Sequence, residues 1–154
     1  LIFFSYPDKQ SEAQLAAHPA WPAIKASRPA IWKTLNIFSA EVEKDIAITF
    51  DPAKNYTLVV AWKKDDNASD YDKYLNGIEP AMKRFGGRFI YKMRDPQLES
   101  NVAGAPAPSQ LTFVEWDGLD GFSKVRTSDE YKASVPYFQS GVKKLEFYRM
   151  SVSQ

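Results

Sequence analysis

His18 is the sole histidine of the chain, and an imidazole titrates near neutrality and ligates iron, which suits a general base or a haem ligand. It also stands directly before Pro19, where it can serve a helix start, and it lacks the orienting partner that a catalytic base needs; the capping role is the expectation. Arg88 follows Gly86-Gly87 and opens an apolar run. Its fixed fork of donors can hold a carboxylate or an enolate in a cavity, or pair with an acid at a sheet edge. Tyr74 and Tyr91 can donate to a substrate oxygen, although Tyr74 also falls on an apolar helical stripe where core packing satisfies it. Trp62, Trp116 and Tyr131 can wall a pocket or seal a core. The candidate ligand-binding set is therefore Trp62, Tyr74, Arg88, Tyr91, Trp116 and Tyr131, with no residue assigned to catalysis.

Other chemistries lack their parts. With no cysteine in the chain, disulfides, thiolate nucleophiles and thiolate metal sites are excluded. No spacing of ligands predicts a metal site, and no cofactor is predicted. Asp65-Asp66 and Asp70 to Asp72 make an acidic patch without the central glycine and terminal glutamate of a calcium loop. Acids at a helix start complement its dipole, which accounts for them. Gly86-Gly87 closes a helix rather than opening one, so it is not a phosphate cradle.

At 154 residues the chain can bury one ordinary core, or one and a half small fused modules. A formal net charge of +1, with acids and bases interspersed, offers no field for nucleic acid or an anionic membrane. No stretch has the apolar length of a membrane span. No basic segment precedes an apolar run at Leu1, so no retained signal peptide is expected; a soluble, cytoplasmic protein is the expectation.

The candidates must be positioned by the following elements. Leu1–Tyr6 reads as a strand. Ser11-Glu12 reads as a cap for a helix through Leu15, with a second helical piece near Trp21–Ala26, because Pro19, Pro22 and Pro29 interrupt a single long helix. Lys33–Val42 and Asp45–Phe50 read as strands. Tyr56–Lys63 is β-branched and aromatic, a buried strand. A helix capped at Asn67 or Ser69 carries Tyr71, Tyr74, Leu75, Ile78, Met82 and Phe85 at helical spacing and stops at Gly86-Gly87. Arg88–Met93 is the next strand, Asp95–Ser109 a surface loop, Gln110–Trp116 a strand, Leu119–Ser134 helical, and Lys144–Val152 the last strand. From Tyr56 onward the order is βαββαβ, a ferredoxin-like antiparallel sheet with both helices on one face.

The first forty-odd residues repeat the last forty-odd. Laying Leu1 on Leu111 without a gap matches Phe3 to Phe113, Ala23 to Ala133, Lys33 to Lys143, Leu35 to Leu145 and Val42 to Val152, and sets Trp21 on Tyr131 and His18 on Ser128. The chain therefore reads as a partial βαβ repeat with a connecting strand over residues 1–55, followed by a complete ferredoxin-like domain over 56–154, in one compact unit.

Three stretches carry a resemblance: Asp70-Tyr71-Asp72-Lys73-Tyr74 through Ile78-Glu79-Pro80 to Phe85-Gly86-Gly87-Arg88-Phe89; Leu111-Thr112-Phe113-Val114-Glu115-Trp116; and Thr127-Ser128-Asp129-Glu130-Tyr131-Lys132. By these, residues 56–152 resemble the dimeric α/β-barrel superfamily, and within it a small family labelled a domain of unknown function. The chain departs from that family at Val135-Pro136-Tyr137-Phe138, where an arginine is usual. The resemblance implies a barrel with a cavity between sheet and helices, in a superfamily of cofactor-free monooxygenases, isomerases, cyclases and haem-binding enzymes. The expected function is binding of a small apolar or aromatic organic molecule in that cavity. The alternatives are a cofactor-free enzyme on an enolisable aromatic or polyketide-like substrate, and self-assembly without a ligand. The expected assembly is a homodimer, because the sheet face away from the helices is apolar and needs a cover. A monomer follows instead if Asp45–Phe50 and the Ala/Pro loop fold over that face.

Overall fold

The computed structural model describes residues 2, 5–44 and 46–152. The N-terminal prolines give two short helices, α1 (Lys9–Ala17) and α2 (Trp21–Ile31), with Pro22 in the first turn of α2 and Pro29 inside it. A proline in the first turn costs nothing, because that N–H has no intrahelical partner. The cap of α1 is Asp8 rather than Ser11-Glu12: its carboxylate accepts from the Ser11 N–H at 2.7 Å. A carboxylate at this position answers both the orphan N–H groups and the dipole. The strand expected over Lys33–Val42 shrinks to β1 (Asn36–Ser39). The strand expected at Leu1–Tyr6 falls on residues 1, 3 and 4, outside the described residues. Residues 46–50 form no strand, although their alternation of apolar and polar residues is that of one; Pro52 ends the segment one residue beyond Asp51, and no ladder partner engages it.

The remaining elements are β2 (Asn55–Lys63), α3 (Ala68–Arg84), β3 (Gly87–Arg94), β4 (Gln97–Ser100), β5 (Gln110–Trp116), α4 (Gly121–Thr127), α5 (Asp129–Gly141) and β6 (Val142–Ser151). The four-stranded sheet has the order β3-β5-β2-β6 with its paired strands antiparallel. That is the ferredoxin-like βαββαβ arrangement, formed where the pattern of apolar residues places it. The turn between α3 and β3 sits at Gly86, whose φ of +76° needs a residue without a side chain. Two details differ from expectation. The segment Asp95–Ser109 is not wholly loop, because β4 forms within it and pairs with β1. The helical stretch after Leu119 is two helices that run on to Gly141. Ser128 ends the first and caps the second, its hydroxyl accepting from the Tyr131 N–H at 3.2 Å.

By its contacts the chain divides into two compact units, residues 1–37 with 99–105, and residues 38–98 with 106–154. Residues 38–55, expected with the N-terminal part, thus lie in the second unit. Shifted by 110 positions, α1 falls on α4, α2 falls within α5, and β1 falls within β6. Among the described residues the order of α1, α2 and β1 is thus that of α4, α5 and β6.

In the second unit the sheet has two apolar sides, as strands buried on both faces require. Toward the helices, Ala61, Val114 and Trp116 meet the buried stripe of α3, namely Tyr71, Tyr74, Leu75, Ile78 and Met82. On the opposite side Leu58, Val60, Trp62, Leu111 and Phe113 form a second cluster with Phe38, Ile90, Tyr91, Met93 and Met150. That face was expected to be bare. It is not: Val60 is 1% and Phe113 3% exposed in the single chain. Phe38 packs on the cluster, Phe50 stands edge-on to Tyr56 at 4.9 Å, and the Pro106 carbonyl accepts the Trp62 indole N–H at 2.9 Å. The segment around Phe50 and the Ala/Pro loop cover this face without being a strand.

Candidate functional site

At the end of the helix-side layer, where β2 begins and β6 ends, lies a half-open cleft of about 180 Å³. Its walls are Thr57, Trp116, Leu119, Phe122, Phe147 and Arg149, with Asn55, Tyr56, Gly118, Met150 and Ser151 completing the lining. Strand alternation explains why these converge. Phe147 and Arg149 are two apart on β6 and share a face, opposite Val59 and Thr57 of β2. Thr57 in turn faces Val114, two positions before Trp116 on β5. Phe122 comes from the first turn of α4.

The aromatic wall is ordered by ring geometry. Phe122 stacks on Phe147 with centroids 4.9 Å apart and stands edge-on to Trp116 at 6.1 Å, arrangements that the ring quadrupoles favour. The Trp116 indole N–H donates to Thr57 Oγ1 at 3.0 Å, which fixes both side chains. Arg149 is the charged side chain of this lining. It is exposed, and among the described residues no acid lies within ion-pair distance of it.

Of the residues singled out from sequence, Trp116 reaches this cleft and the others sit elsewhere. Trp62 lies on the opposite side of the sheet, under the Lys144 ammonium at 4.3 Å. Tyr91 is on that side too, stacked on Phe113 at 6.2 Å. Tyr74 is held in the helix-side core, stacked on Tyr71 and edge-on to Tyr131. Burial raises its hydroxyl pKa and pushes that of Tyr71 up to about 12, so both stay protonated.

Arg88 pairs with an acid at the sheet edge. Its Nε and Nη2 donate to the two oxygens of Glu115 at 2.7 and 3.2 Å, the bidentate geometry that suits a guanidinium. That hydrogen bond holds the Glu115 carboxyl below the usual carboxylate range, against the opposing pull of burial. Tyr56 links the pair to the chain above it: its hydroxyl donates to Glu115 Oε2 at 3.3 Å and accepts from the Asp51 N–H at 2.6 Å. His18 is the C-cap of α1 rather than the N-cap of α2, which is Ala20; its Nδ1 accepts from the Ala20 N–H at 3.2 Å.

A smaller cleft of about 130 Å³ in the first unit is bordered by Lys25, Arg28 and Glu99. Both cations converge on one Glu99 oxygen, at 3.2 and 2.6 Å, so its charges are largely met internally. No group of three or more His, Cys, Asp or Glu among the described residues is placed to hold a metal ion. No helix among them is long and apolar enough to cross a membrane.

Sequence reading missed Phe122, Phe147 and Arg149. The signal was present in β6, where Leu145, Phe147 and Arg149 alternate. Only the pairing register, however, shows that this alternation faces the helices.

Residues 55–145 match the profile of a family described as Domain of unknown function (DUF1330). A comparison with curated proteins gives no match. Among solved structures, the methylated RPA0582 protein is similar at 16% identity with a TM-score of 0.55, over 66% of this chain and 82% of that one. A second structure of RPA0582, described as a protein of unknown function from Rhodopseudomonas palustris, gives 15% identity and 0.54, over 66% and 83%. A dimeric protein of unknown function and ferredoxin-like fold from Bacteroides fragilis gives 13% and 0.44, over 68% and 100%. At these identities the likeness is one of fold.

Proposed function

The chain belongs to the DUF1330 family, whose profile covers most of its second unit, and from that premise we propose that it binds a small aromatic or apolar organic molecule in the cleft beside Trp116. The observation that carries this reading is the aromatic wall of Trp116, Phe122 and Phe147 around an opening of about 180 Å³. An apolar cavity of roughly 150 Å³ is enough to take up benzene, so one ring is the size that fits. Trp116 is retained as a binding residue, joined by Phe122, Phe147 and Arg149. The lining holds no Asp, Glu, His or Lys, so a proton abstraction there would have no base among these side chains. Binding is therefore favoured over the cofactor-free enzyme reading.

Phenol is a suitable neutral probe. Its titration should shift the Trp116 indole N–H resonance saturably, and Phe147→Ala should weaken that binding about tenfold by removing one wall, roughly the loss of one aromatic contact. Saturable phenol binding that leaves the Trp116 resonance unmoved would place the site elsewhere and end this reading.

Assembly as a homodimer is part of the same reading, but not through the covered sheet face. The free edge of β6 suits it better: ten residues stand at one end of the sheet order, and such an edge is a template for a second copy. An antiparallel pairing that sets Leu145 against itself puts Lys144 opposite Glu146 in both directions and opposes no like charges. Light scattering at micromolar concentration should give twice 17.5 kDa, reduced to the monomer mass by Leu145→Asp. A wild-type monomer across that range would refute the edge dimer.

A further inference from the structure

Arg149 is a cation set at the mouth of an aromatic cleft, with no acid among the described residues within ion-pair distance. Among the described residues of the same unit Arg126 also lacks an ion pair but is not part of this lining, whereas three other arginines are paired. Arg84 is paired with Glu130 and Arg88 with Glu115, while Arg94 lies 3.4 Å from Asp72. Acids do stand near the rim, but they are engaged: Asp117 takes Lys54, and Asp120 takes Lys124. Among the described residues, the guanidinium fork of Arg149 is thus left without a carboxylate partner.

Its immediate neighbour is a hydroxyl. Thr57 is the cross-strand partner of Arg149, which brings their Cβ atoms to about 5 Å. Thr57 Oγ1 already accepts the Trp116 indole N–H, so the hydroxyl keeps its own proton to donate. Side by side are a planar cationic fork and a neutral O–H donor, with no carboxylate on the lining to consume either. Two residues along β6, on the same face, the ring of Phe147 stacks on Phe122 and leaves room for one more ring.

Resting on the reading of this cleft as a binding site, we infer that its ligand is a single-ring aromatic carboxylate. The ring lies against Phe147, Phe122 and Trp116, and the carboxylate takes a bidentate pair from Arg149 with a third hydrogen bond from Thr57. Arg149 is then the specificity-determining residue. It selects the anion over a neutral ring of the same shape, because a carboxylate answers the fork with two oxygens and an amide answers it with one.

Phenylacetate and its neutral isostere phenylacetamide separate the two parts of the inference when titrated by calorimetry into the intact chain. The expected result is that phenylacetate binds about tenfold or more tightly than phenylacetamide, the margin that charge-assisted hydrogen bonds give over neutral ones. Arg149→Gln should abolish that margin, lowering phenylacetate affinity about tenfold or more and phenylacetamide affinity by much less, since the amide loses one neutral hydrogen bond. Arg149→Lys, which keeps the charge and loses the fork, should restore only part of it. Arg149 is exposed near the end of an edge strand, and an unchanged melting midpoint reports that each variant is folded. Equal affinities for acid and amide, or a preference that survives Arg149→Gln, would overturn the inference while leaving the cleft as a binding site. If neither compound binds although phenol does, the carboxylate inference falls alone; if no ring binds, the cleft reading falls with it.

Discussion

Trp116→Ala is expected to lower the folding free energy by about 4 kcal/mol and the melting midpoint by roughly 10 °C, the ordinary scale for emptying a large aromatic site in a domain of this size. The ring is 4% exposed, and the chain is built around it. Gly121 lies so close that a Cβ there would sit 2.5 Å from the indole, so the backbone already packs on the ring face and has little room to collapse into the space left behind. Phe122 leans on its edge, and its N–H is spent on Thr57. Trp116→Phe should separate volume from hydrogen bonding. It keeps most of the packing and loses one N–H donor, a change of about 1 kcal/mol beyond the packing lost with the smaller ring. Urea titrations of both variants give the comparison. An alanine variant within 1 kcal/mol of the wild type would mean that Trp116 is not the centre of this end of the core.

The positions of β2, α3, β3 and β5 were legible in the sequence to within a residue at most boundaries. Each is specified by local information: β-branched runs for the strands, the 3.6-residue stripe from Tyr71 to Met82, and a Gly-Gly stop. Of the expected repeat, the described residues carry the helices and one strand in the expected register: shifted by 110 positions, α1 falls on α4, α2 within α5 and β1 within β6.

The failures have a common cause, which is that their determinants are not local. The alternation over Asp45–Phe50 satisfies a strand pattern, yet a strand needs a free edge to pair with, and neighbouring sequence says nothing of that. Four residues, Gln97–Ser100, pair with β1 from within a segment whose Pro, Gly and Ala content reads as loop. The cover over Leu58 and Phe113 depends on Phe38 and on residues around Phe50 and Pro106, distant in sequence from both. The site shows the same division. Aromatic type alone nominated Trp62, Tyr74, Tyr91 and Tyr131, which pack into one side of the sheet or the other. Phe147 and Arg149 became candidates only once the β2–β6 register put them across from Val59 and Thr57. Arg88 had two readings that the sequence left open, and the buried Glu115 beside it decides between them.

Gly141→Ala should be the most damaging small substitution on the surface between the two long helices, at about 3 kcal/mol. Gly141 ends α5 against the start of α3, and an ideal Cβ there would lie 2.6 Å from the Tyr71 backbone nitrogen and 3.0 Å from the Asp70 carbonyl carbon. Backbone atoms cannot rotate aside as a side chain can, so relief requires one helix to move. The junction is pinned on both sides of that contact. The Ser140 hydroxyl donates to the Asp70 carboxylate, the Lys64 N–H donates to the Gly141 carbonyl at 2.9 Å, and the Lys64 ammonium donates to the Gln139 carbonyl at 2.9 Å. Separating the helices to admit a methyl group would stretch these bonds and disturb the seat of Tyr71, which is 1% exposed. Overpacking of a tight site costs roughly 1–3 kcal/mol, and the rigid neighbours here set the upper end. Gly118→Ala supplies the control, since its Cβ would approach no closer than 3.3 Å to the end of the Asp120 side chain, and its effect should stay within about 0.5 kcal/mol. Denaturant midpoints for the two variants should therefore differ widely. Equal midpoints would show that α5 can shift on α3 without loss, and that the close approach at Gly141 does not fix how the helices pack.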